Sequence, residues 1–153
     1  MASLAFARPL EPDDLDTLEA IDKVYATRCE LEPLLSAASV SFYTRSGHAF
    51  VATSGGHTTG FVLAHAVWDG NRPAVQVNRL AVKNPEDAAS RQALLEAVTK
   101  SAYDAAVYDI RIHHPKADHA AATDLEAKDY RLLPTELYGR TLGSRGRPGG
   151  EHD

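Results

Sequence analysis

The sequence predicts an α/β chain whose mixed sheet is covered by helices on both faces, and three observations predict it. Runs with a hydrophobic period of two alternate along the chain with runs of helical period. Three strand-like runs in the middle are separated only by tight turns, GGHTTG and DGNRP, so consecutive runs must pair antiparallel. Later strand-like runs are separated by helix-length segments, which is how a sheet acquires a parallel member and a covered face. At 153 residues the chain suits one domain, expected over residues 1–142.

Each element has its own reason. Leu4 to Arg8 alternates apolar and polar side chains as a short strand does. Glu11-Pro12-Asp13-Asp14 then opens a helix, with Pro near the first position and acids in the first turn. Leu15, Leu18 and Ile21 fall on its apolar face, and the helix continues through Asp22 and Tyr25. A shorter helix is expected over Glu30 to Ala37, followed by Phe42 and Tyr43 in a segment without a clear period. His48 to Ser54, Gly60 to Gly70 and Ala74 to Val82 are the three meander strands. Ser90 to Ala106 is a helix with Leu94, Leu95, Val98 and Ala102 inward. Val107 to His113 reads as a strand, Asp118 to Lys128 as a helix, and Leu132 to Leu142 as extended chain returning to the sheet. The tail from Gly143 to Asp153, GSRGRPGGEHD, is polar and glycine-rich and is expected to be disordered. No internal repeat is present.

Composition removes several function classes. A net charge of −5 disfavours a broad nucleic-acid surface, which needs clustered Lys and Arg. The one cysteine, Cys29, excludes an intrachain disulfide and any multi-cysteine metal site. The opening MASLAFARPLEPDD lacks the apolar core of a signal peptide, and no run approaches membrane-spanning length, so a cytoplasmic location without a membrane partner is expected.

The junction QVNRLAVKNPEDAASRQALLEAV runs from a strand through a short loop into a helix. Such a junction can hold a phosphate on glycine backbone and the free N–H groups of a helix start. Here it has no glycine, and it carries Glu86 and Asp87. If the helix began at Pro85, Asn84 would cap it and Asp87 would complete a capping box. If it began near Ala88, Glu86 would point to water, and Arg79, Lys83 and Arg91 would be available as cations.

Taken in order, FARPLEPDDLDTLEAID, the strand ending RLAV before Asn84-Pro85, the helix ending ALLEAV and the late segment DHAAATDLEAKDYRLL resemble the GNAT superfamily of acyl-CoA-dependent N-acyltransferases. The resemblance spans Leu4 to Leu142. It implies a central, mostly antiparallel sheet with helices on both faces, acetyl-CoA as co-substrate without a metal, and a small-molecule or peptide amine as acceptor. It also implies that coenzyme A would lie against Leu80 and Val82 of the strand and against Ala88, Ala89, Ser90 and Arg91 of the helix start. The family's Q/R-x-x-G-x-G/A loop maps with Glu86 at the Gln/Arg position and Ala89 and Arg91 at the small-residue positions. All three depart from it, so the coenzyme A loop is degenerate. In the late segment Leu125 stands where the family carries a proton-donating Tyr, and Asp129-Tyr130 replaces Gly-Phe.

If chemistry occurs, His114 is the candidate base and Tyr138 the candidate acid, with Tyr130 as the other phenol. His113 and His114 also suit a solvated strand end. With Asp118 and His119 they match no known metal-ligand spacing. His65 alternates with apolar neighbours and faces either core or cleft, with a core histidine expected, while Gln76 and Asn78 share one strand face and could line a cleft. Two function classes follow: an acyltransferase, or a GNAT-fold binding module that has lost coenzyme A, with a homodimer through the sheet edge as a further expectation. Fold analogy carries the first class more than any single site does.

Overall fold

The computed structural model describes residues 4–143, so the expected disordered tail lies outside these residues beyond Gly143. Five strands form one sheet in the order β1-β2-β3-β4-β5. They are β1 (Phe6–Pro9), β2 (Phe50–Ser54), β3 (His57–Asp69), β4 (Arg72–Val82) and β5 (Ile110–Ile112). The first four pair antiparallel, and β5 joins β4 in parallel. Four helices accompany them: α1 (Leu15–Cys29), α2 (Ala37–Thr44), α3 (Ala88–Asp104) and α4 (His119–Ala127). The mixed α/β architecture is as the sequence predicts.

Two apolar clusters lie on opposite faces of the sheet. Leu18, Ile21, Tyr25 and Cys29 of α1, with Val40 and Tyr43 of α2, pack on Val51, Phe61, Leu63 and Ala81. Leu94, Leu95, Val98 and Ala102 of α3, with Leu125 of α4, pack on Val62, Ala64, Val75, Val77, Leu80 and Val82. Alternate residues of β3 and β4 therefore serve opposite cores, which is why these strands read as nearly continuous apolar runs. Gly60 is required by close approach: a Cβ there would meet the Ala81 carbonyl oxygen at 2.6 Å.

Two expectations are corrected and one open alternative is decided. The second helix is Ala37–Thr44, not Glu30 to Ala37. The buried Asp22 carboxylate accepts from the N–H groups of Leu34 and Leu35, which holds that stretch out of a helix, and the Ser36 hydroxyl then caps α2 by accepting from Ser39 N. The helix after β4 starts at Ala88 with Asp87 as its cap, while Asn84 instead accepts from Glu86 N. The stretch Leu132 to Leu142 forms no strand, and β5 is the last strand of the sheet among the described residues.

Candidate active site

The sheet opens where β4 outruns β5. The two pair only from Val75 to Val77 against Ile110 to Ile112, and the His113 N–H bonded to the Val77 carbonyl continues the contact by one residue. Beyond it β4 runs on to Val82 without β5 beside it. At the same level β4 bulges: Leu63 faces Arg79 and Ala64 faces Val77, so Asn78 is the extra residue. The bulge turns two consecutive polar side chains toward α1 and α2. Asn78 donates to the Tyr43 hydroxyl at 2.7 Å, and Arg79 donates to Asp22 at 2.7 Å.

The Asn78 side forms a neutral, partly exposed site. Gln76 donates to Asn78 Oδ1 at 2.9 Å, and that array ends at the Tyr43 hydroxyl. Phe42, Tyr43 and His65 stack edge to face around it, with centroids 5.1 Å apart for Phe42–Tyr43 and 5.4 Å for Phe42–His65. The array presents amide and hydroxyl groups beside aromatic rings, which suits an ammonium group or a peptide amide.

The Arg79 side is a closed network. Asp22 is fully buried and holds Arg79, itself nearly buried, which also donates to the Glu32 carbonyl at 3.1 Å. The Arg79 guanidinium lies 5.9 Å from the centre of the Tyr25 ring. Tyr25 in turn donates to Asp118, the buried N-cap of α4, at 2.7 Å. Burial first, and then the Asp118 carboxylate, hold the Tyr25 phenol well above its ordinary value. Burial likewise raises the Cys29 thiol, so Cys29 is a packed neutral group. His114 is half-buried, and its desolvation lowers its pKa although Asp118 opposes the shift.

At the start of α3 most of the backbone donors are engaged from within. Asp87 accepts from Ser90 N at 3.0 Å and from the Ser90 hydroxyl at 2.6 Å, and that hydroxyl pairs with Thr59 at 2.7 Å. Glu86 N, Asp87 N, Ala88 N and Arg91 N each bond a neighbouring oxygen of the same loop. Arg91 turns inward, 3% exposed, and donates its Nε to Asp124 of α4 at 2.5 Å. Its Nη1 is buried without a hydrogen-bond partner. Glu86 is exposed, as a helix start near Ala88 requires.

The candidate residues are thus dispersed. Leu80 and Val82 lie in the core beneath α3, and Ala88, Ala89, Ser90 and Arg91 form the first turn of that helix. His114 lies near the α4 N-terminus, whereas Tyr138 is 90% exposed in the stretch after α4. Sequence reasoning missed the pairs Tyr25–Asp118, Arg79–Asp22 and Arg91–Asp124. A signal existed for two of them, since Asp22 and Tyr25 share the buried stripe of α1 with Leu18, Ile21 and Cys29. Among the described residues no cluster of three or more His, Cys, Asp or Glu could hold a metal ion, and no helix is long and apolar enough to cross a membrane.

Among curated proteins none matches the chain. Among solved structures, wild-type TTHA1254 from Thermus thermophilus is 35% identical, with a TM-score of 0.73 over 91% of this chain and 98% of that one. The aminoglycoside N-acetyltransferase AAC(6')-Iy in complex with CoA is 14% identical, with a TM-score of 0.70 over 92% of this chain and 97% of that one. A ribosomal-protein-alanine N-acetyltransferase from Brucella melitensis biovar Abortus 2308 is also 14% identical, at 0.66 over 91% and 99%. The architecture is therefore the GNAT fold. The family described as "Protein of unknown function (DUF1999)" matches residues 7–145, and the chain belongs to that family.

Proposed function

We propose that this chain is a GNAT-fold binding protein that takes a small-molecule or peptide amine against Tyr43, Asn78 and His65, and that does not use coenzyme A as co-substrate. The observation that carries this is the internal engagement of the α3 start by Asp87 and by the Arg91–Asp124 pair. A helix N-terminus attracts anions because its N–H groups are free and its end carries roughly half a positive charge. Here a carboxylate of the chain already accepts from the helix start. A pyrophosphate would have to displace the Asp87 carboxylate from the helix start, and Arg91, turned inward to Asp124, offers it no counter-charge. The residues present do not fit the group.

A second reading, an acyltransferase, is favoured by the bulge at Asn78 beside the stretch of β4 that β5 does not cover and by the partnerless Nη1 of Arg91, a donor that an anion could satisfy if the pair with Asp124 opened. In that reading His114 is the base and Tyr138 the acid.

Binding to the folded state alone raises the melting temperature. Polyamines, amino acids and short peptides, one of which should raise it, are therefore compared with acetyl-CoA, which should not. A clear shift with acetyl-CoA, together with release of free thiol that falls in His114→Ala and Tyr138→Phe but not in Leu125→Ala, would establish the second reading and remove the first.

A further inference from the structure

The face of the sheet that carries α1 and α2 holds a polar row running across three strands. His65 of β3 stands opposite Gln76 of β4, and Gln76 stands beside Arg111 of β5. Their chain neighbours fix the face. Ala64, Val75, Val77, Ile110 and Ile112 pack on the α3 side, so the residues between them point the other way. All three residues of the row are partly exposed, so neither α1 nor α2 seals this end of the face. His113, two residues after Arg111, falls on the same face one step along and is exposed.

The row is aromatic at its β3 end and cationic at its β5 end. Two strand spacings, about 10 Å, separate the backbones of His65 and Arg111. At the aromatic end the Phe42 and Tyr43 rings lie against His65, where the proposed amine docks. Gln76, between the ends, commits its Nε2 to Asn78 and carries no charge. The carboxylates of this region are engaged by other arginines. Asp109, two residues before Arg111, is bound by Arg72, and Asp22 is bound by Arg79. A guanidinium has five N–H donors in a planar fork, enough to grip a carboxylate with two while keeping another contact.

We infer, resting on the amine site proposed above, that its ligand also carries a carboxylate and that Arg111 holds it. The ligand class is then an amino acid or a short peptide with a free C-terminus. An extended dipeptide spans about 7 Å, which with the reach of the arginine side chain bridges the row from rings to guanidinium. An amine without an acid leaves the Arg111 end facing water. A polyamine fares worse, because its second ammonium would stand against a like charge.

Calorimetry of the full chain tests this with a panel of Ala-Xaa dipeptides, each compared with its own C-terminal amide. The amide keeps the amine and the side chains and removes only the charge assigned to Arg111. In the wild type the free acid should bind at least about tenfold more tightly than the amide. Arg111→Gln should erase that preference. Arg111→Lys should keep part of it, since lysine retains the charge without the planar fork. Equal affinity for acid and amide in the wild type overturns the inference and leaves the amine site standing. A preference that survives in Arg111→Gln overturns it equally. Binding of a polyamine but of no dipeptide overturns the inference alone, whereas binding of no amine at all overturns the amine site with it.

Discussion

The hydroxyl of Tyr25 in the middle of α1 donates to the carboxylate of Asp118 at the start of α4, 2.7 Å apart in space and 93 residues apart in the chain. The bond fastens the helix on one face of the sheet to the N-cap of a helix whose Leu125 packs on the other. Tyr25→Phe should destabilise the fold by about 1–3 kcal/mol, because it strips a buried carboxylate of one partner. The phenol is held protonated above its usual 10.0, so the unfolded chain releases that proton at a lower pH than the folded one. Stability from this group is present below that pH and falls as pH rises above it. Urea titrations between neutral and alkaline pH should show the decline in the wild type and a shallower one in the variant.

Arg91 and Asp124 tie α3 to α4, and the arginine is the more deeply buried of the two. Asp124→Asn alone leaves a buried guanidinium without its counter-charge and should cost about 3–5 kcal/mol. Replacing both residues with Leu should cost much less. A double-mutant cycle followed by urea unfolding reads the difference, and equal losses in the single and double variants would count against the pair.

The acids at the α3 start should oppose a phosphate ligand. Glu86→Gln with Asp87→Asn keeps the size and the capping oxygen while deleting two charges. Coenzyme A should then bind more tightly, by about 1 kcal/mol for each charge removed near the surface, with a gain that shrinks as salt is added. Ala89→Gly as well should strengthen binding further by reopening backbone approach, with the Arg91–Asp124 pair left in place. Calorimetry compares the three proteins. Sub-micromolar binding by the wild type, on the order of −8 kcal/mol or stronger, would defeat the closed-site account.

Acid should weaken the fold through two histidines. Burial lowers His48, whose Nδ1 lies 2.8 Å from the Ser101 hydroxyl, and burial lowers His114. The unfolded chain therefore takes up protons near 6.5 that the folded chain refuses until the pH is lower. Stability is fully present above that value and is lost as pH falls below it. His48→Gln and His114→Gln should each flatten the slope of unfolding free energy measured from pH ~7 to ~5.

Glu30 ends α1 in the left-handed region, with φ 58°, and its N–H reaches the Thr27 carbonyl while the Leu31 N–H reaches that of Ala26. That bonding pattern favours glycine. Glu30→Gly should raise stability by about 1 kcal/mol, since the exposed side chain is strained by the backbone it sits on. A thermal melt with no gain would show that Glu30 is held by something else.

Locally encoded features were legible in the residues. The meander from β2 to β4 was set by alternation and by Gly55-Gly56 and Asp69-Gly70, where the glycines take positive φ. The apolar face of α3 was set by Leu94, Leu95 and Val98, all of which are buried. The family resemblance rested on the order of such elements, and order survives when loop residues change.

Long-range pairing decided the rest. Whether the α3 helix began at Pro85 or Ala88 could not be read from KNPEDAAS, because both starts offer a capping side chain; the structure gives that role to Asp87, which holds Ser90 on the β3 side through Thr59. Glu30 to Ala37 had helical composition, yet Asp22 claims the N–H groups of Leu34 and Leu35 from another element. Arg91 reads as a free cation in the sequence, and the fold sets Asp124 beside it. Period and capping act between residues three or four apart and so are written in the sequence. A buried charge must find its partner wherever the fold brings one, and only the folded chain determines where that is.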